Sequence, residues 1–261
     1  MIDDRLMTPL QRHEWGPPEP PALLLVHGLT ESGTAWPDAV RRWRDRWRIV
    51  AVDLRGHGDS PRFTEPELGR APRVWLDDLL EVLAEFSSPP VAVGHSLGAL
   101  LVLRAAATRP ELVRGIVLED PARPAGHWRP DPELVREQEL FLDGFARGTA
   151  AEKARMRVDT RWTHPEIDAW ADCKPQVDRR MIREGLYLGS DDWAELFTRV
   201  AVPTLLVLPF DGGTSSAGID LGNPLVEERA VPGVGHCVRR DDPGTYHSVV
   251  DPFLERVSPV R

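Results

Sequence analysis

Val91-Ala-Val-Gly94-His95-Ser96-Leu97-Gly98-Ala-Leu-Leu-Val-Leu103 passes from an apolar run, through a glycine-flanked serine, into a helical stretch that continues to Ala107. Gly94 to Gly98 is a Gly-x-Ser-x-Gly turn in the strand–turn–helix setting that this motif requires. The physical demand is specific. A serine on so sharp a turn has a strained backbone, its neighbours crowd together, and glycines on both sides remove the clash. Its hydroxyl then stands above the sheet edge, where the helix that follows directs its first amides and positive dipole end. Ser96 is therefore the candidate nucleophile. Taken alone, the five residues fit a merely structural turn equally well.

Outward from this turn, further apolar runs recur: Ala22–Val26, Arg48–Asp53, Val113–Leu118 and Thr204–Leu208. Continuous runs of this length suit strands of a parallel sheet covered on both faces. Helical patterns lie at Thr34–Asp45, Val74–Phe86, Leu97–Thr108 and Pro243–Arg256. The alternation predicts an α/β fold with a doubly wound, mostly parallel sheet. Between Pro121 and Arg199 the alternation stops. That stretch is polar and helix-prone, carries Trp128, Trp162, Trp170 and Trp193, and is too long for a plain connection. The predicted organisation is a core of residues 1–120 and 200–261 with a helical cap inserted at 121–199. Gly212–Gly218 reads as a flexible loop.

Three segments reinforce the serine turn. His27-Gly-Leu-Thr30 ends the first run, so the Leu29 N–H, with that of Leu97 after the serine, can meet a developing oxyanion. Asp53-Leu-Arg-Gly-His-Gly-Asp-Ser60 follows the second run. Gly233-Val-Gly-His236-Cys237 follows a short strand-like stretch, Arg229–Val231, and offers a histidine base in a glycine-flanked loop. Among eight histidines, His236 alone has both this position and this context. His95 and His57 read as structural members of their turns, His127, His164 and His247 as surface or cap positions, and His13 as part of the N-terminal arm.

Together these segments resemble the α/β-hydrolase superfamily, in its serine esterase and lactonase branch with a helical cap. The resemblance runs over nearly the whole chain and implies a Ser-acid-His order. The acid has two candidates. Most members of the superfamily carry it after the strand that follows the cap, which here is Asp211. Its surroundings, Phe210-Asp-Gly-Gly-Thr214, depart from the usual pattern. Haloalkane dehalogenases and zearalenone-type lactonases carry it after the strand before the cap, and Asp120 falls at that place. Asp120 is preferred, with its neighbour Glu119 directed to the other face of the strand.

The function implied is hydrolysis of a small to medium apolar carboxylic ester or lactone through Ser96, His236 and Asp120. No cofactor is called for. Trp128 and Trp162 are the cap residues expected to face the substrate. A thioesterase or a carbon–carbon bond hydrolase would share the same three residues, and a slow-turnover receptor would keep the same pocket.

Composition narrows the remaining classes. The 261 residues carry a formal net charge of −9, which argues against a nucleic-acid partner. The basic run Arg41–Arg48, interleaved with Trp43 and Trp47, reads as the solvated face of an amphipathic helix. Neither metal-ligand spacing nor a disulfide framework accompanies the two cysteines, Cys173 and Cys237, which read as reduced thiols. The first fifteen residues lack a signal-like apolar run and no stretch reaches membrane-spanning length, so a cytoplasmic protein without a membrane partner is expected. Monomer and homodimer remain equally open.

Overall fold

Strands form where the apolar runs predict them. The computed structural model describes residues 9–258 apart from 20, 125, 212, 215–217, 219 and 220. In chain order it contains β1 (Arg12–Trp15), β2 (Ala22–Val26), α1 (Pro37–Trp43), β3 (Arg48–Val52), α2 (Glu65–Leu68), α3 (Ala71–Ala84), β4 (Val91–His95), α4 (Leu97–Thr108) and β5 (Gly115–Glu119). Then come α5 (Pro132–Asp143), α6 (Ala150–Asp159), α7 (His164–Asp172), α8 (Trp193–Thr198), β6 (Thr204–Pro209), β7 (Val226–Val231), α9 (Val238–Asp241) and α10 (Pro243–Val257). The sheet order is β1-β3-β2-β4-β5-β6-β7. Only β1 runs antiparallel, pairing with β3.

Alternation along each strand splits the core in two. Leu24, Val26, Val50, Val52, Ala92, Ile116, Leu118 and Leu206 pack under α3, α4 and α8. Leu23, Leu25, Ile49, Ala51, Val93, Val117 and Leu205 face α1 and α10 on the other side. With both faces covered, five-residue strands of almost unbroken Val, Leu, Ile and Ala are what the packing requires. Both edges are protected by charge: β1 carries Arg12 and Glu14, and β7 carries Glu227, Glu228 and Arg229.

Strand β1 went unpredicted because its sequence, Arg-His-Glu-Trp, has no apolar run. It is held by tertiary contacts instead. Asp53 Oδ1 accepts from the Gly33 N–H at 2.7 Å and faces His13 Nε2 at 3.0 Å. Ser60 Oγ closes the Asp53–Ser60 turn on the Asp53 carbonyl and accepts from the Gln11 N–H.

The segment between β5 and β6 is helical, with no strand among its described residues beyond an isolated bridge from His127 to Gly189. Phe145, Met156, Ile167, Trp170 and Ala171 give it a small core of its own. Its last helix, α8, buries Trp193, Leu196 and Phe197 in the main core beneath the sheet instead. Leu142, Val177, Met181, Ile182 and Leu186 of the same segment join that core as well. His247 also differs from expectation: it is buried on α10, edge-on to Trp43 at 5.3 Å. Of the loop predicted at 212–218, Gly212 and residues 215–217 lie outside the described residues.

Candidate active site

Ser96 links β4 to α4 with φ 52° and ψ −115°, a left-handed conformation that costs an L-residue about 1–3 kcal/mol. The flanking glycines make it possible. A Cβ on Gly98 would stand 2.1 Å from the Val26 carbonyl oxygen, and one on Gly94 2.6 Å from Ala99 Cα. Backbone bonds fix the turn: Ser96 N–H donates to the Glu119 carbonyl, and the Ser96 carbonyl accepts from Leu100 and Ala122, all at 3.0 Å.

Ser96 opens onto a cavity of about 520 Å³ whose wall also includes Leu29, Leu97 and His236. Leu97 is the first residue of α4, so its amide lacks an intrahelical acceptor. Among the described residues, neither Leu29 nor Leu97 spends its N–H on an internal partner. Two buried histidines hold the loop that carries Leu29. His27 donates from Nδ1 to the Gly28 carbonyl (2.7 Å) and accepts the Leu54 N–H at Nε2 (2.9 Å). His57 accepts the Thr30 N–H at 3.2 Å, and its Nδ1 faces the Arg55 carbonyl. Burial holds both below the usual histidine pKa, His57 well below it, with the charge of His27 adding to the shift at His57.

His236 Nδ1 lies 2.6 Å from Asp120 Oδ2. Asp120 follows β5 at φ 35° and is fully buried. The other candidate, Asp211, is exposed. Its departure from the usual acid motif has a physical reason: the loop after β6 brings hydrogen-bond donors to Asp120 instead of a carboxylate to His236. Thr214 N–H reaches the two Asp120 oxygens at 2.9 and 3.1 Å, and Thr214 Oγ1 lies 3.1 Å from Oδ1. Gly213 is needed for this approach, since a Cβ there would stand 2.8 Å from Asp120 Oδ1. Sequence reasoning missed Thr214; the Gly-Gly-Thr run after Asp211 was the available signal.

Adjoining the cavity, with Glu31 and His95 in its wall, is a buried ion network that the sequence did not announce. Arg240 donates to Glu31 Oε1 (2.5 Å) and Glu166 Oε2 (2.8 Å), and Arg239 donates to Glu119 Oε2 (3.0 Å). Burial opposes ionisation of Glu31, but Arg240, His95, Lys174 and Arg239 together outweigh it and hold that carboxyl well below its ordinary range. Glu119 does point away from Asp120, as alternation requires. His95 belongs to the same cluster. Its ring lies 4.7 Å from that of His236, and its Nδ1 stands 3.8 Å from Glu31 Oε2. Burial works against its charge, yet Glu119, Cys237 and Glu31 together push its pKa up to about 10.

These histidines pull stability in opposite directions with pH. His27 and His57 titrate below the free value of 6.5, so their contribution is complete above that pH and is lost as the pH falls. His95 titrates above it, so its contribution is complete below pH 6.5 and is lost as the pH climbs toward 10; His13, held by Asp53, acts in the same sense. Denaturant midpoints are expected to peak near pH 6.5 and to fall steadily on the alkaline side. A flat profile up to about pH 9 would contradict a protonated His95.

The cap tryptophans are distributed differently from expectation. Trp128 is 75% exposed and outside the cavity wall. Trp162 donates from Nε1 to Asp241 at 2.6 Å and packs on Arg240, so its polar end is spent on structure. The tryptophan that lines the cavity is Trp170. Both cysteines are free; Cys173 is buried and Cys237 half-buried in the cavity wall. No helix among the described residues is long and apolar enough to cross a membrane.

Comparison with known proteins agrees with this architecture. The chain is 37% identical over 153 residues to 2-(acetamidomethylene)succinate hydrolase of Mesorhizobium japonicum, a match covering 54% of each chain. It is 36% identical over 173 residues to the lipase LipV of Mycobacterium tuberculosis, covering 66% of this chain and 60% of the relative. These matches thus span between about half and three fifths of the relatives' length. A crystal structure of E-2-(acetamidomethylene)succinate hydrolase superimposes with a TM-score of 0.74 at 25% identity, over 94% of this chain and 95% of that one. The model of the Alpha/beta hydrolase family matches residues 23–248. With the serine turn, the sheet order and this match in agreement, the chain belongs to the alpha/beta hydrolase family.

Proposed function

We propose that the protein is a serine hydrolase that cleaves a carboxylic ester or lactone of a small to medium substrate through Ser96, His236 and Asp120. One observation carries the reading. The strained serine and a histidine already paired to a buried carboxylate open onto the same cavity, beside two uncommitted amides.

In this reading Asp120 fixes the proton of His236 on Nδ1, which leaves Nε2 free to accept. His236 takes the Ser96 proton as Oγ attacks the substrate carbonyl, and the Leu29 and Leu97 N–H groups receive the negative oxygen. Collapse breaks the ester C–O bond. His236 hands its proton to the leaving oxygen, and the acyl group remains on Ser96. Water, deprotonated by His236, attacks the acyl carbon and releases the acid with Ser96 restored. The name of the LipV relative fits an ester substrate.

The test combines turnover and labelling. The purified protein is expected to hydrolyse p-nitrophenyl esters of short to medium chain length. A fluorophosphonate probe is expected to attach to the peptide carrying Ser96, and Ser96→Ala should lose both signals. If neither esters nor lactones turn over and the probe leaves Ser96 unmodified, the proposal is wrong.

A further inference from the structure

The cavity wall contains a buried ammonium group for which the proposed chemistry has no use. Lys174 follows α7 on a short helical turn, is 3% exposed, and lines the cavity that holds Ser96. Its Nζ donates to the Thr30 carbonyl at 3.1 Å and lies 3.8 Å from Cys173 Sγ. The Trp170 ring centroid is 5.0 Å away and that of Phe141 5.8 Å. Among the described residues, no carboxylate stands within ion-pair distance of it. Aromatic faces offset part of the cost of burying a cation, but a full charge away from water calls for a counter-charge.

The surrounding charges show why the protein does not supply one. Glu31 lines the same cavity and its carboxyl feels the charge of Lys174, yet its Oε1 is taken by Arg240 at 2.5 Å. Its Oε2 lies 3.7 Å from Arg239 and 3.8 Å from His95. Glu119 and Glu166 are bonded to Arg239 and Arg240. The three buried acids Glu31, Glu119 and Glu166 are each bonded to Arg239 or Arg240. Lys174 has no such carboxylate bond among the described residues; its hydrogen bond goes to the neutral Thr30 carbonyl. Exposed Arg123 and Glu137 also line the cavity and carry opposite charges.

We infer that Lys174 is a specificity residue that binds a carboxylate of the substrate, so the preferred ester carries an acid group, as in a half-ester of a dicarboxylic acid. The ammonium has three N–H groups and the Thr30 carbonyl takes one, which leaves hydrogen-bonding capacity for a ligand oxygen. Thr30 follows Leu29 directly, so the bound carboxylate would lie on the oxyanion-loop side of the cavity. This inference rests on the reading of the cavity as a serine-hydrolase site.

Two measurements separate that reading from the carboxylate subsite. Methanol release from monomethyl glutarate is compared with release from methyl valerate, a neutral ester of the same length, for wild type, Lys174→Met, Lys174→Gln and Lys174→Arg. Wild type is expected to favour the half-ester. The ratio of the two kcat/KM values should fall about tenfold or more in both neutral variants, mostly through KM, and survive in Lys174→Arg. In parallel, glutarate is titrated against intrinsic tryptophan fluorescence, to which Trp170 beside Nζ contributes. A saturable change present in wild type and absent from the neutral variants supports the subsite even if no ester turns over, an outcome in which the hydrolase reading alone fails. A wild-type preference for methyl valerate, an unchanged ratio in the neutral variants, or glutarate binding that is absent from wild type or persists without the ammonium overturns the inference. Melting curves accompany each variant, and the two neutral side chains guard against misfolding of one.

Discussion

Replacing Asp120 by Asn is expected to lower kcat on an ester substrate by about 10⁴-fold with the fold intact. The reason lies in the partners of the carboxylate. Thr214 N–H reaches the Asp120 oxygens at 2.9 and 3.1 Å and must keep an acceptor. In the Asn variant the amide oxygen serves Thr214, which turns the NH₂ group toward His236 Nδ1. His236 must then accept at Nδ1 and carry its proton on Nε2, the atom that should receive the proton of Ser96. The tautomer is wrong while the shape is nearly unchanged. Asp211→Asn, at an exposed position, should alter kcat by no more than about twofold. Equal small losses in the two variants would remove Asp120 from the proposed triad. A large loss at Asp211 alone would reverse the assignment.

A second variant should act chiefly on stability. The Arg240 side chain is fully buried and bonded to Glu31, Glu166 and the Ala35 carbonyl, with its guanidinium 4.9 Å from the Trp162 ring centroid. Arg240→Met fills much of the space but leaves two buried carboxylates without their main cation. Breaking a buried ion pair from one side costs about 3–5 kcal/mol, which for a domain of this size corresponds to a melting point lower by roughly 10 °C. Adding Glu31→Gln should recover part of the loss, because the neutral amide no longer requires the missing charge. A single variant that melts within about 2 °C of wild type would show that the network contributes little. Activity should fall as well, since Glu31 sits two residues beyond Leu29 and Arg240 four beyond His236.

Much of the fold was legible because parallel strands buried on both faces write themselves as apolar runs. Ala22–Val26 and Leu97–Thr108 were placed to the residue, and the other predicted strands within a few positions. Strand β1 was missed because a polar edge strand has no such signature. The serine turn could be read because its geometry forces glycine at 94 and 98, a local demand that leaves a local mark. Asp120 was harder. Its proposed partner is 116 residues away, and the observation that favours it, donors from Thr214 instead of an acid from Asp211, emerges only when β5 and β6 lie side by side. The tryptophans misled for a related reason: an indole marks burial somewhere, and Trp128, Trp162 and Trp170 look alike until the helices around them are packed. Arg239 and Arg240 lie in a run of charged residues with no local sign of burial, because their carboxylate partners are 74 to 209 positions distant.

The two neighbouring carboxylates at the end of β5 have a mechanical consequence. Asp120 grips His236 on one face and Glu119 grips both the amide and the guanidinium of Arg239 on the other. Residues 236 to 239 are therefore pinned to the sheet at two points a fixed chain length apart. In the connection just upstream, Pro232 to Gly235, only the last amide is tied to a partner among the described residues, Asp241. Insertions there should lengthen a tether without moving what it leads to, whereas one extra residue between 236 and 239 would force one grip to release. The fold thus marks where this rim can be rebuilt and where its spacing acts as a gauge.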